Sequence, residues 1–112
     1  MNNQDEQRLE ECYCPAQKAL SILGGKWTLS IIRELSSGTK RFGQLQKSLK
    51  GISPKTLSAR LQELEKQAIV TKEIYPEVPP RVEYSLTTKG ESLKKILLDL
   101  VKWGTENLRS ED

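Results

Sequence analysis

Histidine is absent from this 112-residue chain. With it go the commonest general base, the usual proton shuttle and the commonest metal ligand. Cysteine is scarce: Cys12 and Cys14 are the only two, too few to complete a tetrahedral zinc site within one chain. No P-loop, GxGxxG, GxSxG or HExxH motif occurs. This inventory argues against an enzyme, and it gives no reason to expect a metal or a cofactor. No apolar run approaches the ~20 residues that a membrane span requires. Residues 1–11 are polar and acidic, without the apolar stretch of a secretory signal. A cytoplasmic location is therefore expected, where a structural disulfide is disfavoured.

What remains reads as one globular domain, 36% hydrophobic and 29% charged with a net charge of +3. The expected division is a polar tail over 1–11, a folded domain over 12–108 and a short tail over 109–112. Pro15 suits the first position of a helix, which puts Cys14 at its N-cap. Ala16, Ala19, Leu20 and Leu23 would share one face of this helix, and Gly24-Gly25 ends it. A second helix starts near Lys26, with Thr28, Ile31, Ile32 and Leu35 on one face and Gly38 as its stop. A third covers about Arg41 to Leu49, with Phe42, Leu45 and Leu49 inward. The turn Lys50-Gly51-Ile52 then leads to Ser53 as N-cap and Pro54 as first residue of a fourth helix. That helix runs to about Lys66 and buries Leu57, Leu61 and Leu64.

Ile69–Tyr75 and Val82–Leu86 read as hairpin strands, joined by a projecting loop whose three prolines cannot donate to a ladder. A last helix opens on a capping box of Thr88 with Glu91 and extends to about Leu108. The predicted fold is mostly α with a small β-hairpin, in the order of a winged helix-turn-helix.

The two short helices joined by a glycine-containing turn match the DNA-reading motif. With Leu57, Leu61 and Leu64 inward, Lys55, Ala59, Gln62 and Lys66 point outward, flanked by Thr56, Ser58 and Glu63. Ser53, Lys55, Thr56, Ser58, Ala59 and Gln62 thus present a small, polar, cationic surface able to enter a major groove. The bland alternative is a solvated helix face. Lys40 and Arg41 at the start of the third helix, and Arg81 on the hairpin, are candidate phosphate contacts. Arg60, nearer the buried edge, either contacts phosphate or pairs with Glu63 or Glu65. Between Lys40 and Lys55 stand five basic residues and no acidic one, so a modest net charge hides a basic middle.

Along the last helix, Leu93, Leu97, Leu100, Val101 and Leu108 form a stripe, widened by Ile96, Leu98 and Trp103. This apolar arc exceeds the ~100° usual for a helix lying on a core, so one side can cover the domain while the other meets a second copy. Ile96, Leu97, Leu100 and Trp103 are the candidate dimer contacts. Cys14 is either a reactive thiol, its pKa lowered at a helix N-terminus, or a small buried capping residue. Cys12, two residues away, is a candidate resolving partner.

Cys14-Pro15, Ile22-Leu23-Gly24-Gly25-Lys26-Trp27, Lys40-Arg41-Phe42, Gly51-Ile52-Ser53 and the run Tyr75–Tyr84 together resemble the HxlR-type family of bacterial regulators. Leu57, Leu61 and Glu63-Leu64-Glu65 fit the same pattern, and the likeness extends from about Cys14 to Gly104. The resemblance implies a winged-helix homodimer joined through its first and last helices, each recognition helix in a major groove of a pseudo-palindromic operator. It also implies control of nearby genes, in several members through a cysteine placed like Cys14 that answers electrophiles or oxidants. One departure is Ala68, where the family usually has glycine: either Ala68 takes a positive φ, or the helix ends differently. Cys12 is not part of the family pattern. The competing reading is a winged-helix module that binds protein and does not read DNA.

Overall fold

The computed structural model describes residues 13–108. Cys12 and the two expected tails lie outside the described residues. Five helices and three short strands follow in order: α1 (Tyr13–Leu23), α2 (Thr28–Ser36), β1 (Lys40–Arg41), α3 (Phe42–Ser48), α4 (Pro54–Lys66), β2 (Val70–Tyr75), β3 (Arg81–Leu86) and α5 (Thr88–Asn107). The strands form one antiparallel sheet in the order β1-β3-β2.

α2 is amphipathic by spacing, and Thr28, Ile31, Ile32 and Leu35 are its buried residues. Ile31 and Leu35 meet Leu45 and Leu49 around α3, Leu57, Leu61 and Leu64 of α4, and Ile69, Val70 and Tyr84 of the hairpin in one core. α4 begins as the sequence predicts. The Ser53 side chain accepts from the Thr56 amide at 3.1 Å, and Pro54 occupies the first helical position, where no amide donor is needed.

Helix α4 ends at an αL residue. Ala68 has φ 60°, so the positive-φ alternative is the one realised. The Ile69 amide donates to the Leu64 carbonyl and the Ala68 amide to the Glu65 carbonyl, both at 2.9 Å, which is the Schellman arrangement. Its apolar partners Leu64 and Ile69 are both buried. The hydrogen bonds and the buried pair hold an alanine where a glycine fits without strain.

The first turn of α5 then grips the carbonyls that α4 leaves open. Lys89 Nζ donates to the Gln67 carbonyl at 2.7 Å, and the Thr87 hydroxyl to that of Ala68 at 2.5 Å. The Thr87 amide donates to the Ile69 carbonyl at 3.0 Å. Thr87, not Thr88, is the N-cap of α5: its oxygen accepts from the Gly90 amide at 3.0 Å. The expected capping box of Thr88 with Glu91 does not form: the cap lies one residue earlier, and Gly90 at the third helical position has no side chain to return the bond. Gly90 is buried, and a Cβ there would collide with the Ile69 carbonyl.

Other expectations need correcting. Lys40 and Arg41 form a strand, paired with Tyr84 and Glu83, before the third helix starts at Phe42. Two residues carry no periodicity, so only the pairing with β3 reveals them. Helix α1 already includes Tyr13, which places Cys14 inside its first turn and not at the N-cap. The Ala16, Ala19 and Leu20 face of α1 is exposed, while Ile22 and Trp27 pack on the core. Leu97 is buried within its own chain at 7% exposure, because α5 lies on α2 there. There it covers its own domain, whereas Ile96, Leu100 and Trp103 are exposed.

Two outcomes follow from the junction. Ala68→Gly relieves the αL strain and is expected to raise stability by ~0.5–1 kcal/mol, a few degrees in Tm by calorimetry. Gly90→Ala forces backbone apart and is expected to lower it by ~1–3 kcal/mol in urea titrations. Equal stability in either variant contradicts the geometry described.

Candidate nucleic-acid interface

The outward face of α4 is set by its inward one. With Leu57, Leu61 and Leu64 buried, Lys55, Ser58, Ala59 and Gln62 are all exposed and fall at i, i+3, i+4 and i+7. This row is what α4 offers to a groove: one cation, one hydroxyl, one methyl and one amide. Ser53 and Thr56 stand apart from it. The Ser53 hydroxyl donates to Thr56 Oγ1 at 2.9 Å while accepting the Thr56 amide, so both side chains are occupied with starting the helix.

Around the turn, Arg41, Lys47, Lys50 and Lys55 are exposed, and Lys40 is half-buried. Among the described residues none of these five is in an ion pair, nor is Arg60, which is exposed and pairs with neither Glu63 nor Glu65. Elsewhere cations are neutralised: Lys72 lies 4.0 Å from Glu65, and Lys94 lies 3.7 Å from Glu91. The basic middle read from the sequence is therefore also an unneutralised one. The Arg41 amide is closed by the Gln44 side-chain oxygen at 2.8 Å, which steadies the entry to α3 without using the guanidinium.

Arg81 behaves differently from expectation. Its guanidinium lies 3.4 Å from Glu77, 3.4 Å from Glu83 and 4.0 Å from the centre of the Tyr75 ring. Tyr75 faces it directly across the hairpin, and Glu83 lies two residues along the same strand face. Arg81 is half-buried and engaged at the base of the wing, not extended toward solvent. The clue was in the sequence: acids at i−4 and i+2 of a strand arginine bracket it. Tyr75 is held above the ordinary phenol pKa first by lost hydration, then by Glu73 through a hydrogen bond and its charge, and by Glu83; Arg81 opposes the shift. Tyr84, in the core, is raised by burial and then by Glu65.

Among the described residues no group of three or more His, Cys, Asp or Glu side chains could hold a metal. No described helix is long and apolar enough to cross a membrane.

Comparison with known proteins agrees with this geometry. The model of the HxlR-like helix-turn-helix family matches residues 22–112. The chain is 44% identical over 98 residues to an HTH-type transcriptional regulator of Synechocystis sp. PCC 6803, spanning 88% of this chain and 73% of that one. The reduced form of the transcriptional regulator YodB from B. subtilis superposes with a TM-score of 0.78 at 36% identity, over 86% of this chain and 94% of that one. The redox regulator HypR in its reduced form also gives 0.78, at 39% identity, over 83% and 92%. With residues 22–112 matched and relatives of this identity along nearly its whole folded part, the chain belongs to the HxlR-like helix-turn-helix family and is a transcriptional regulator.

Proposed function

We propose that the protein binds double-stranded DNA sequence-specifically as a homodimer in the cytoplasm, without catalysing a reaction, and regulates transcription of neighbouring genes. One observation carries the DNA part: the exposed row Lys55, Ser58, Ala59 and Gln62 lies among cations that, among the described residues, no carboxylate neutralises. Exposed charges left unpaired add little to folding but much to the attraction of a polyanion. Lys40, Arg41 and Arg60 take phosphates, while α4 lies in the major groove.

The homodimer rests on apolar surface left uncovered. Past Leu97, α5 keeps Leu98, Leu100, Val101, Trp103 and Leu108 exposed, with Ile96 beside them. Between α2 and α5 opens an apolar cleft of about 280 Å³ lined by Leu29, Ile32, Leu97, Leu98 and Val101. Together with the exposed face of α1, these side chains form the kind of apolar surface that marks an interaction site. Cys14, within α1, is the proposed sensor of electrophiles or oxidants; relatives whose names describe redox regulation support this role.

Selection of genomic fragments by the reduced protein, followed by anisotropy, is expected to return one inverted repeat with half-sites ~10 bp apart or a multiple of that. Affinity should fall steeply with salt, as released counterions require; enrichment of no sequence, or affinity indifferent to salt, refutes the reading. Trp103→Glu, at a residue 56% exposed in the chain, should turn a sedimenting dimer into a folded monomer and weaken operator binding about tenfold or more. Cys14→Ser should bind the operator normally yet ignore diamide or quinone, and a variant that still responds rules out Cys14 as the sensor.

A further inference from the structure

With Arg81 drawn inward, the wing has no unengaged cation. Over residues 70–86 the basic residues are Lys72 and Arg81; the first pairs with Glu65, the second with Glu77 and Glu83. The tip of the wing is apolar instead. Val78 is 100% exposed and is followed by Pro79 and Pro80, both exposed. This tip faces the start of α3 across a cleft of about 380 Å³, walled by Arg41, Phe42 and Gly43 on one side and by Glu77 through Val82 on the other. Arg41 is exposed there and, among the described residues, in no ion pair.

Resting on the DNA-binding reading above, we propose that this cleft is a subsite for one deoxyribose-phosphate unit of the DNA backbone. Arg41 takes the phosphate, Val78 with Pro79 and Pro80 lies against the sugar, and Arg81 acts as an electrostatic shield without touching DNA.

The chemistry of the two walls matches that unit. A phosphodiester needs a cation, and Arg41 offers a planar fork of donors. Deoxyribose presents mostly C–H surface, which an aliphatic tip can cover. The Glu77 carboxylate lines the same space and Glu83 follows the lining residue Val82 on β3; bare, both would repel the phosphate. Glu83 is also the register partner of Arg41 across β1 and β3, so it is placed to draw off the Arg41 guanidinium. Arg81, 3.4 Å from both Glu77 and Glu83, removes both problems at once. The wing then contributes contact that salt does not screen, beside an arginine contact that salt does.

The test is anisotropy of the full chain with the fragment that the wild-type protein selects from genomic DNA, over ~50 to 200 mM salt. Arg41→Gln should flatten the log–log salt slope by ~1.8, the loss of one phosphate contact from each subunit of the dimer. Val78→Ser should raise Kd about fivefold at every salt concentration and leave the slope unchanged. Arg81→Gln should weaken binding, and adding Glu77→Gln with Glu83→Gln should restore it, since the shield is needed only while the acids are present. Val78→Ser binding like wild type, or Arg41→Gln keeping the full slope, overturns the subsite. A triple variant as weak as Arg81→Gln overturns the shield and makes Arg81 a contact. Wild-type protein that selects no fragment refutes DNA binding itself; selection with indifferent Arg41 and Val78 variants refutes the subsite alone.

Discussion

The carbonyl of Ile69 is the point on which the rest of the structure turns. It accepts the Thr87 amide at 3.0 Å, lies 3.1 Å from the Thr87 hydroxyl, and has Gly90 pressed against it with no room for a methyl group. Three elements end or begin there: β2 leaves at Val70, β3 arrives at Leu86, and α5 starts at Thr88. The Schellman turn at Ala68 delivers the carbonyl, Thr87 secures the preceding one on Ala68, and Lys89 the one before that on Gln67. A helix C-terminus ordinarily leaves its last carbonyls to water. Here another helix supplies the donors, so the direction of α4 and the direction of α5 are one quantity and not two.

Around that joint the chain sorts its unsatisfied groups by kind. Cations without carboxylate partners gather about α3 and α4, and apolar side chains without cover gather on α1 and the far half of α5. Neither arrangement helps a lone monomer. Uncovered Leu100, Val101 and Trp103 forgo burial worth ~1.5–3 kcal/mol each for a large side chain. Burial within one chain does not account for such residues, which the proposed dimer would cover. The wing shows the reverse economy: its cations are all engaged, and what it exposes is aliphatic.

How much of this could be read in the sequence depended on whether the cause was local. Ser53-Pro54 starts α4 and Lys66 ends it as expected, because a capping hydroxyl and an imino acid act within one turn. The buried faces of α2 and α4 follow from helical spacing alone. That a strand runs through Val82, Tyr84 and Leu86 follows from their alternation with polar neighbours. What escaped was tertiary. β1 exists only because β3 offers it an edge, and Thr87 displaces Thr88 as cap only because Ala68 and Ile69 lie within reach. Leu97 and Leu100 are indistinguishable in the stripe, yet α2 covers the first and not the second. At the candidate interface the α4 row was legible from periodicity. The engagement of Arg81 was not, since it depends on Tyr75 lying opposite it across the hairpin.

The joint and the sorting together explain why a fold of this size suits a dimeric reader. α5 spans 20 residues, a rod of ~30 Å at 1.5 Å per residue. In the proposed dimer its far half is clamped by the partner while its near end is fastened to α4. A tilt of about 10° at Thr87 then moves one end relative to the other by ~5 Å over that length, more than the ~3.4 Å step between bases along a strand. Two recognition helices held in register on successive turns of DNA cannot both tolerate such a displacement. In that dimer a shift in how the two copies pack along α5 has no need to unfold anything or to reach the reading face, because the Ile69–Thr87–Gly90 joint already links α5 to the exit of α4.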